Sequence, residues 1–308
     1  MRQKLLYHLK PAKSRNILKS GARRCIIIKN GGCNMNGKLS ELLQSMNIEY
    51  CAVLPYADCI EATPRIRERS GFAPKAVIIY LLPYYTGKTV NISGYASSLD
   101  YHILLREVGE KIIFFLSSYY PNAKFRSFGD HSPIDERHAA LIGGLGIAGD
   151  NGLLINEKYG SYVFIGDVIT DIDPDLLGAT APIEPVGCEH CGACRSACPT
   201  GILRGEGADC LSAITQRKGE LTESEKALMR EFNTAWGCDR CQSFCPHNHT
   251  PRLTPIEFFY RDRIDLLNRE ILDSMDAAAF SARAFAWRGR AVPERNVDIL
   301  FGDGAEHK

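Results

Sequence analysis

Apolar positions recur with two different periods along the first two thirds of this chain. Leu39, Leu42 and Leu43 share one face of a short helix, and Tyr50 to Leu54 reads as a strand. Residues 75–82 (Lys-Ala-Val-Ile-Ile-Tyr-Leu-Leu) are a near-continuous apolar run, which predicts a mostly buried strand. The span Tyr101 to Tyr119 places Ile103, Leu104, Val108, Ile112, Ile113 and Leu116 at helical spacing. Gly152 to Ile155 and Ser161 to Ile169 predict two more strands joined by a polar turn. This alternation predicts an α/β domain over residues 36–180. After Pro182-Ile-Glu-Pro185 comes a cysteine-rich module, 181–250. Beyond Pro251 and Pro255, a helical segment 251–308 carries Phe258, Phe259, Ile264, Leu266, Leu267, Ile271 and Leu272 and is expected to pack on the α/β domain.

With 308 residues and 45% hydrophobic content, the chain can bury a substantial core plus a smaller module. A formal charge of +1 excludes steering by global charge. No stretch approaches the roughly 18 apolar residues of a spanning helix, so no membrane partner is expected. Residues 1–40 hold ten basic side chains and no acid before Glu41, so 1–35 is a basic extension. It suits either phosphate contact or a solvated arm, and Met35 also permits an upstream segment outside the natural product. The start lacks the order of a signal peptide, and the expected location is the cytoplasm.

Eight of the twelve cysteines fall in Cys188-x2-Cys191-x2-Cys194-x3-Cys198-Pro199, Cys210 and Cys238-x2-Cys241-x3-Cys245-Pro246. Short intervals let soft thiolates converge on one centre, and the proline after each run turns the chain away. The pattern resembles the ligation of two-cluster bacterial ferredoxins. That resemblance implies Cys188, Cys191, Cys194 and Cys245 on one [4Fe-4S] cluster, and Cys198, Cys210, Cys238 and Cys241 on the other. Two structural zincs or a disulfide scaffold are the alternatives. Cys25, Cys33, Cys51 and Cys59 show no such register and read as small packed side chains, while His190 and His247 read as neighbours of ligands.

An electron-transfer module behind a large α/β domain should feed a second redox centre. That domain has no dinucleotide fingerprint, because Gly143-Gly144-Leu145-Gly146 with Gly149 lacks the GxGxxG spacing, and it has no Walker A motif. A corrinoid or flavin held by backbone and apolar surface would leave such a weak signature. Further landmarks are Tyr95-Ala96, Asp100-Tyr101-His102, Asp130-His131-Ser132-Pro133 with Glu136, and Gly144-Leu145-Gly146-Ile147. Asn151, Leu154-Ile155, Tyr159-Gly160-Ser161, Trp287-Arg288-Gly289 and Arg295-Asn296 complete them.

Together with the eight cysteines, these closely resemble the iron–sulfur, cobalamin-dependent epoxyqueuosine reductases over roughly residues 36–300, in a short form without their C-terminal helical-repeat extension. The resemblance implies a cobalamin-binding α/β domain with a ferredoxin-like two-[4Fe-4S] module. It implies reduction of the wobble-position epoxide in the tRNA anticodon stem-loop to queuosine by Co(I) cobalamin, with a low-potential ferredoxin or flavodoxin as donor. Asp130 corresponds to the family's catalytic aspartate and would protonate the leaving alkoxide; its bland role is capping a helix that starts near Pro133, in competition with Ser132. Asp135 and Glu136 read as first-turn acids that favour a helix N-terminus.

Tyr95, Asp100, Tyr101, His102, Ser132, Gly144, Gly146, Asn151 and Gly152 are the expected cofactor contacts. Glycines of this loop allow close backbone approach, or simply tight turns. Gly149-Asp150-Asn151 stands where relatives carry Gly-Lys-Asn, which reverses a local charge. Trp287 with Arg283, Arg288, Arg290 and Arg295 forms a candidate platform for stacking and phosphate contact with tRNA. Competing readings are a corrinoid iron–sulfur reductase of a small molecule or another modified nucleoside, a non-catalytic tRNA- or corrinoid-binding protein, and an electron carrier without cobalamin.

Overall fold

The uncharged run Ala76–Pro83 forms the central strand, and every one of its residues is buried. The computed structural model describes residues 35–62, 68–207 and 209–302. The basic extension, apart from Met35, and Cys25 and Cys33 lie outside the described residues. The described residues form two compact units, one of those up to Pro83 together with His102–Cys191, the other of Tyr84–Tyr101 with those from Gly192 onward.

The first unit runs α1 (Met35–Ser45), β1 (Cys51–Pro55), β2 (Ala76–Pro83), α2 (Tyr101–Ser117), β3 (Phe125–Phe128), α3 (Glu136–Ile142), β4 (Ile147–Ala148), β5 (Leu154–Ile155) and β6 (Val163–Thr170). Tyr101 itself is counted with the second unit. The main sheet has the order β1-β2-β6-β3, and all three pairings are antiparallel. Val77, Ile79 and Leu81 of β2 point into a core shared with Leu54, Ile169, and Ala139, Ala140 and Leu141 of α3.

The strand expected before the polar turn pairs elsewhere: β5 joins β4 in a separate two-stranded sheet. Buried Asn156 accounts for the change of direction, since its amide donates to the Leu145 carbonyl (2.9 Å) while its Oδ1 accepts from the N–H groups of Lys158 and Tyr159. Along α2 the stripe Leu104, Val108, Ile112 and Leu116 is buried as the spacing predicts. Leu105 and Gly109 are buried too, whereas Ile103 and Ile113 are only partly so. A Cβ on Gly109 would stand 2.4 Å from Ser127 Cβ, so the helix meets β3 at a position that admits no side chain.

The second unit contains α4 (Ala193–Ser196), α5 (Leu211–Thr215), α6 (Glu223–Glu231), α7 (Arg240–Ser243), α8 (Arg269–Ser274), α9 (Ala277–Ser281) and α10 (Ala291–Phe301). Its core gathers Trp236, Phe285, Met229, Leu267, Leu272 and Val297. The C-terminal helices thus fall in one unit with most of the cysteine-rich stretch. Residues 84–101 are tied in by polar bonds: Asn91 binds both the carbonyl and the N–H of Leu267, and the Trp236 indole donates to Tyr95 Oη at 2.9 Å. Among the described residues no helix is long and apolar enough to cross a membrane.

Candidate active site and metal centres

Asp130 lies just past β3, after Gly129, and holds a left-handed backbone, φ +69°. Aspartate tolerates that region better than most residues, yet it is uncommon enough to mark a constrained position. Its Oδ2 lies 3.4 Å from His102 Nε2, and both side chains are 45% exposed, so the pair meets solvent. The helix-capping role does not fall to Asp130 or Ser132. The helix begins three residues later than Pro133, at Glu136, and Asp135 is its cap, accepting from the His138 N–H at 2.9 Å. Asp130 is thereby left without that structural duty.

Buried Ser132 orients its N–H toward Glu136 Oε1 at 3.2 Å, turning the Glu136 carboxyl back toward the Asp130 loop. Asp167 sits opposite Phe128 in the β3–β6 register and is fully buried. Its oxygens make no close hydrogen bond, and the uncharged Ser132 side chain is the donor that favours the carboxylate. Burial pushes Glu136 well above the carboxylate range, reinforced by the charges of Asp167 and Asp130. Burial raises Asp167 as well. Asp167 carried no signal in sequence beyond an acid inside an apolar strand run, and that was the clue to read.

Carboxyls raised in the folded state hold protons that the unfolded chain releases at ordinary carboxylate pH. Their contribution to stability is complete in acid and is lost as pH rises through the raised values. Asp167→Asn is therefore expected to stabilise the fold near neutral pH and above, by roughly 2–4 kcal/mol, with the gain vanishing below pH about 4. Thermal unfolding across pH checks this.

The glycine loop is explained by its own packing. A Cβ on Gly146 would lie 2.5 Å from the Ile155 carbonyl oxygen, and one on Gly149 would lie 2.5 Å from Asn151 Oδ1. Gly144 and Gly152 are left-handed turn residues, and Asn151 accepts from the Leu153 N–H at 3.2 Å. Gly144 and Gly152 fit tight turns, and the Cβ positions of Gly146 and Gly149 are already filled by the protein itself. A different feature suits a bulky group with an apolar face. Val163, Phe164 and Ile165 of β6 and Ile147 and Ala148 of β4 are only half-buried, although Leu81, Leu82 and Pro83 alongside are fully covered. The chain leaving β3 at Phe128 runs toward that end of β6. Of the expected cofactor contacts, His102, Ser132, Gly144, Gly146, Asn151 and Gly152 belong to the first unit, and Tyr95, Asp100 and Tyr101 to the second.

Asp150 Oδ1 lies 2.6 Å from His190 Nδ1. Asp150, Cys188 and His190 present ligand atoms within 4.8 Å of one another, so the histidine read as a ligand's neighbour is held there by an acid. Cys188 and Cys191 belong to the first unit and the other six cysteines of the pattern to the second. All eight are free thiols, which sets aside a disulfide scaffold. Within the second unit the structure brings together Cys210, distant from either run, with Cys238 and Cys241. Burial pushes the Cys238 thiol up to about 11, aided by Cys210, Asp239 and Cys198. Burial raises Cys241 too, with Cys238 and Cys210 adding to it. Burial would raise Cys198, but the N–H groups of Leu203, Thr200 and Ile202 turn toward its sulfur and lower it. Converging thiols ringed by N–H donors fit a cluster, whose sulfurs need such bonds.

Sequence reasoning missed Asp239. Partly buried next to Cys238, it accepts from the Ser93 hydroxyl, the Gly94 N–H (2.7 Å) and the Gln242 amide (3.1 Å), fastening the loop before Tyr95 to the second cysteine run. The arginine platform is narrower than expected. Arg283 is buried and donates to the Asp262 and Ser97 carbonyls, Arg290 donates to those of Leu272 and Met275, and Arg295 to those of Arg217 and Gly219. Trp287, 59% exposed, carries the Arg288 guanidinium stacked 3.7 Å from its ring centroid.

A family described as a 4Fe-4S double cluster binding domain matches residues 187–248. The epoxyqueuosine reductase of Listeria monocytogenes is 33% identical over 221 residues, 66% of this chain and 54% of the relative. That of Salmonella typhimurium is 35% identical over 223 residues, 69% of this chain and 56% of the relative. The matched region thus spans little more than half the length of these curated relatives. A crystal structure of an epoxyqueuosine reductase with an epoxyqueuosine-modified tRNA stem loop shares the fold, with a TM-score of 0.69 at 23% identity over 86% of this chain and 80% of that one. With the double-cluster cysteines, the shared fold and this level of identity in hand, the chain belongs to the epoxyqueuosine reductase family.

Proposed function

We propose that this protein reduces epoxyqueuosine in the tRNA anticodon loop to queuosine, with Asp130 as proton donor. The observation that carries the reading is Asp130 itself: a solvent-facing acid on a left-handed backbone, relieved of helix capping by Asp135, beside His102. Cys198, Cys210, Cys238 and Cys241 would hold one cluster, and Cys188, Cys191, Cys194 and Cys245 the other, as the resemblance to two-cluster ferredoxins implies. Cobalamin would lie against the half-open apolar end of β6 and β4. When bound, the clusters and cobalamin supply low-potential electrons and a cobalt nucleophile, drawn from a ferredoxin- or flavodoxin-type donor.

The chain's own residues then have three tasks. Asp130 delivers a proton to the oxygen released when the epoxide C–O bond breaks. His102 orients the Asp130 carboxyl from Nε2. Trp287 and Arg288 offer a stacking face and a cation to a base and its phosphate. Anaerobic incubation of the cluster- and cobalamin-loaded protein with epoxyqueuosine tRNA and a low-potential reductant, followed by mass spectrometry of the digested RNA, tests the reading. Queuosine, lighter by one oxygen, is the expected product; none from a fully loaded protein refutes it.

A second reading, reduction of a free nucleoside or another small molecule, is favoured by one observation. Arg283, Arg290 and Arg295 are engaged with backbone carbonyls, which leaves a small surface for RNA. Turnover of the free nucleoside without affinity for the stem-loop would select it.

A further inference from the structure

Beneath the Asp130 loop the sheet buries an acid that the reaction outlined above does not use. Asp167 is completely enclosed, and its hydrogen-bonding neighbour is the uncharged Ser132 side chain. Glu136 approaches it from α3, with its Oε1 fixed by the Ser132 N–H. Two charges cannot be buried side by side without a counter-ion; such carboxyls titrate as a pair and retain a proton. The other titratable groups that face the pair are Tyr80 on β2, Cys59 after β1, Asp135 at the cap, and Asp130 with its His102 partner. Tyr80 and Cys59 are themselves pushed upward, first by burial and then by Asp167, so both stay neutral and neither supplies a positive charge.

We propose that Glu136 and Asp167 share one proton, and that the single negative charge remaining on the pair keeps the Asp130 carboxyl in its proton-donating form. The two are positioning residues: they touch neither substrate nor cofactor, and they act through Asp130. A negative charge close behind Asp130 raises the cost of a second one there, and it offsets the pull of His102 toward the carboxylate. Asp130 itself recovers its proton from water after each turnover through its exposed side, so the pair's proton is not consumed. The inference rests on the proton-donor role proposed above for Asp130.

The test has two arms. Infrared spectra of the protein with and without Glu136→Gln and Asp167→Asn, recorded at neutral pH without substrate, should show a protonated-carboxyl stretch in the wild type. The double variant should lose it; other acids such as Asp239 cancel in the difference. In the loaded enzyme the same variant should move the alkaline limb of the turnover–pH profile down by about one unit. The loss would be about tenfold on that limb, with turnover at the acid end within about twofold of wild type. Asp167→Asn alone, which leaves the Ser132–Glu136 bond intact and Glu136 as a single carboxylate, should remove the shared-proton stretch but leave the limb within about 0.3 unit of wild type; a full one-unit displacement would overturn the single-charge account.

An unchanged infrared difference would overturn the shared proton, whatever the turnover. A uniform fall in turnover with no displacement of the limb would also overturn the proposal, leaving the pair as scaffold. If wild type converts no epoxyqueuosine, the functional reading fails, while the infrared arm still decides whether the pair holds its proton.

Discussion

Asp130→Asn is expected to lower conversion of epoxyqueuosine tRNA by roughly 10²- to 10⁴-fold, the usual contribution of a positioned general acid. The substitution is nearly isosteric, and asparagine accepts the left-handed backbone that Asp130 holds at φ +69°. Fold, iron content and cobalamin retention should therefore match the wild type, and an amide facing His102 keeps a polar contact in place of the carboxylate. What it removes is the acidic proton. Breaking the epoxide C–O bond leaves an alkoxide, whose proton must then come from water that no acid has positioned. Single-turnover conversion measured by mass spectrometry, on preparations matched for iron and cobalamin, checks this. Conversion by the variant within about threefold of wild type would remove Asp130 from the proton-donor role.

Cys241→Ser should halve the iron content, because a double-cluster domain loses one of its two four-iron sites when a ligand goes. Cys241 is grouped with Cys238 and Cys210 in the second unit, so the cluster lost is the one those thiols share with Cys198. Serine has the right size but not the soft thiolate that iron–sulfur chemistry selects. Turnover should fall by more than the roughly 10- to 100-fold typical of changes outside the ligand sphere, because the electron path is broken. Cys59→Ala is the control: that thiol, pushed up to about 12 by burial and by Asp167, packs in the core of the first unit and donates to the Pro55 carbonyl, so iron content should be unchanged. Iron analysis and electron paramagnetic resonance of the reduced protein separate the two cases. Full iron in Cys241→Ser would refute the ligand assignment.

Both outcomes concern residues that a reader of the sequence would choose. The cysteine intervals, the run 76–83 and the stripe of α2 are all local patterns, and local patterns survive into the fold because strand and helix periods are set by the backbone itself. Cys210 was chosen by count alone, and the structure then set it beside Cys238 and Cys241. The glycine loop was equally visible, but its reason was not: Gly146 and Gly149 are small because Ile155 and Asn151 press against them. The arginines around Trp287 looked alike in sequence, yet the carbonyls of helix ends and turns claim three of the four.

The sequence by itself determined the spacing of the thiolates, the apolar strand and helix that frame the first unit, and the acid at position 130, because each is carried by a few adjacent residues. Which acids lie behind Asp130, which histidine faces it, and which residue caps the helix after it were decided only in three dimensions. The antiparallel register of β3 with β6 sets Phe128 opposite Asp167, and α2 brings His102 to Asp130. Carboxyls far apart in the chain then raise one another's proton affinity. Proton affinity depends on distance and on the water removed, and neither quantity exists until the chain has folded.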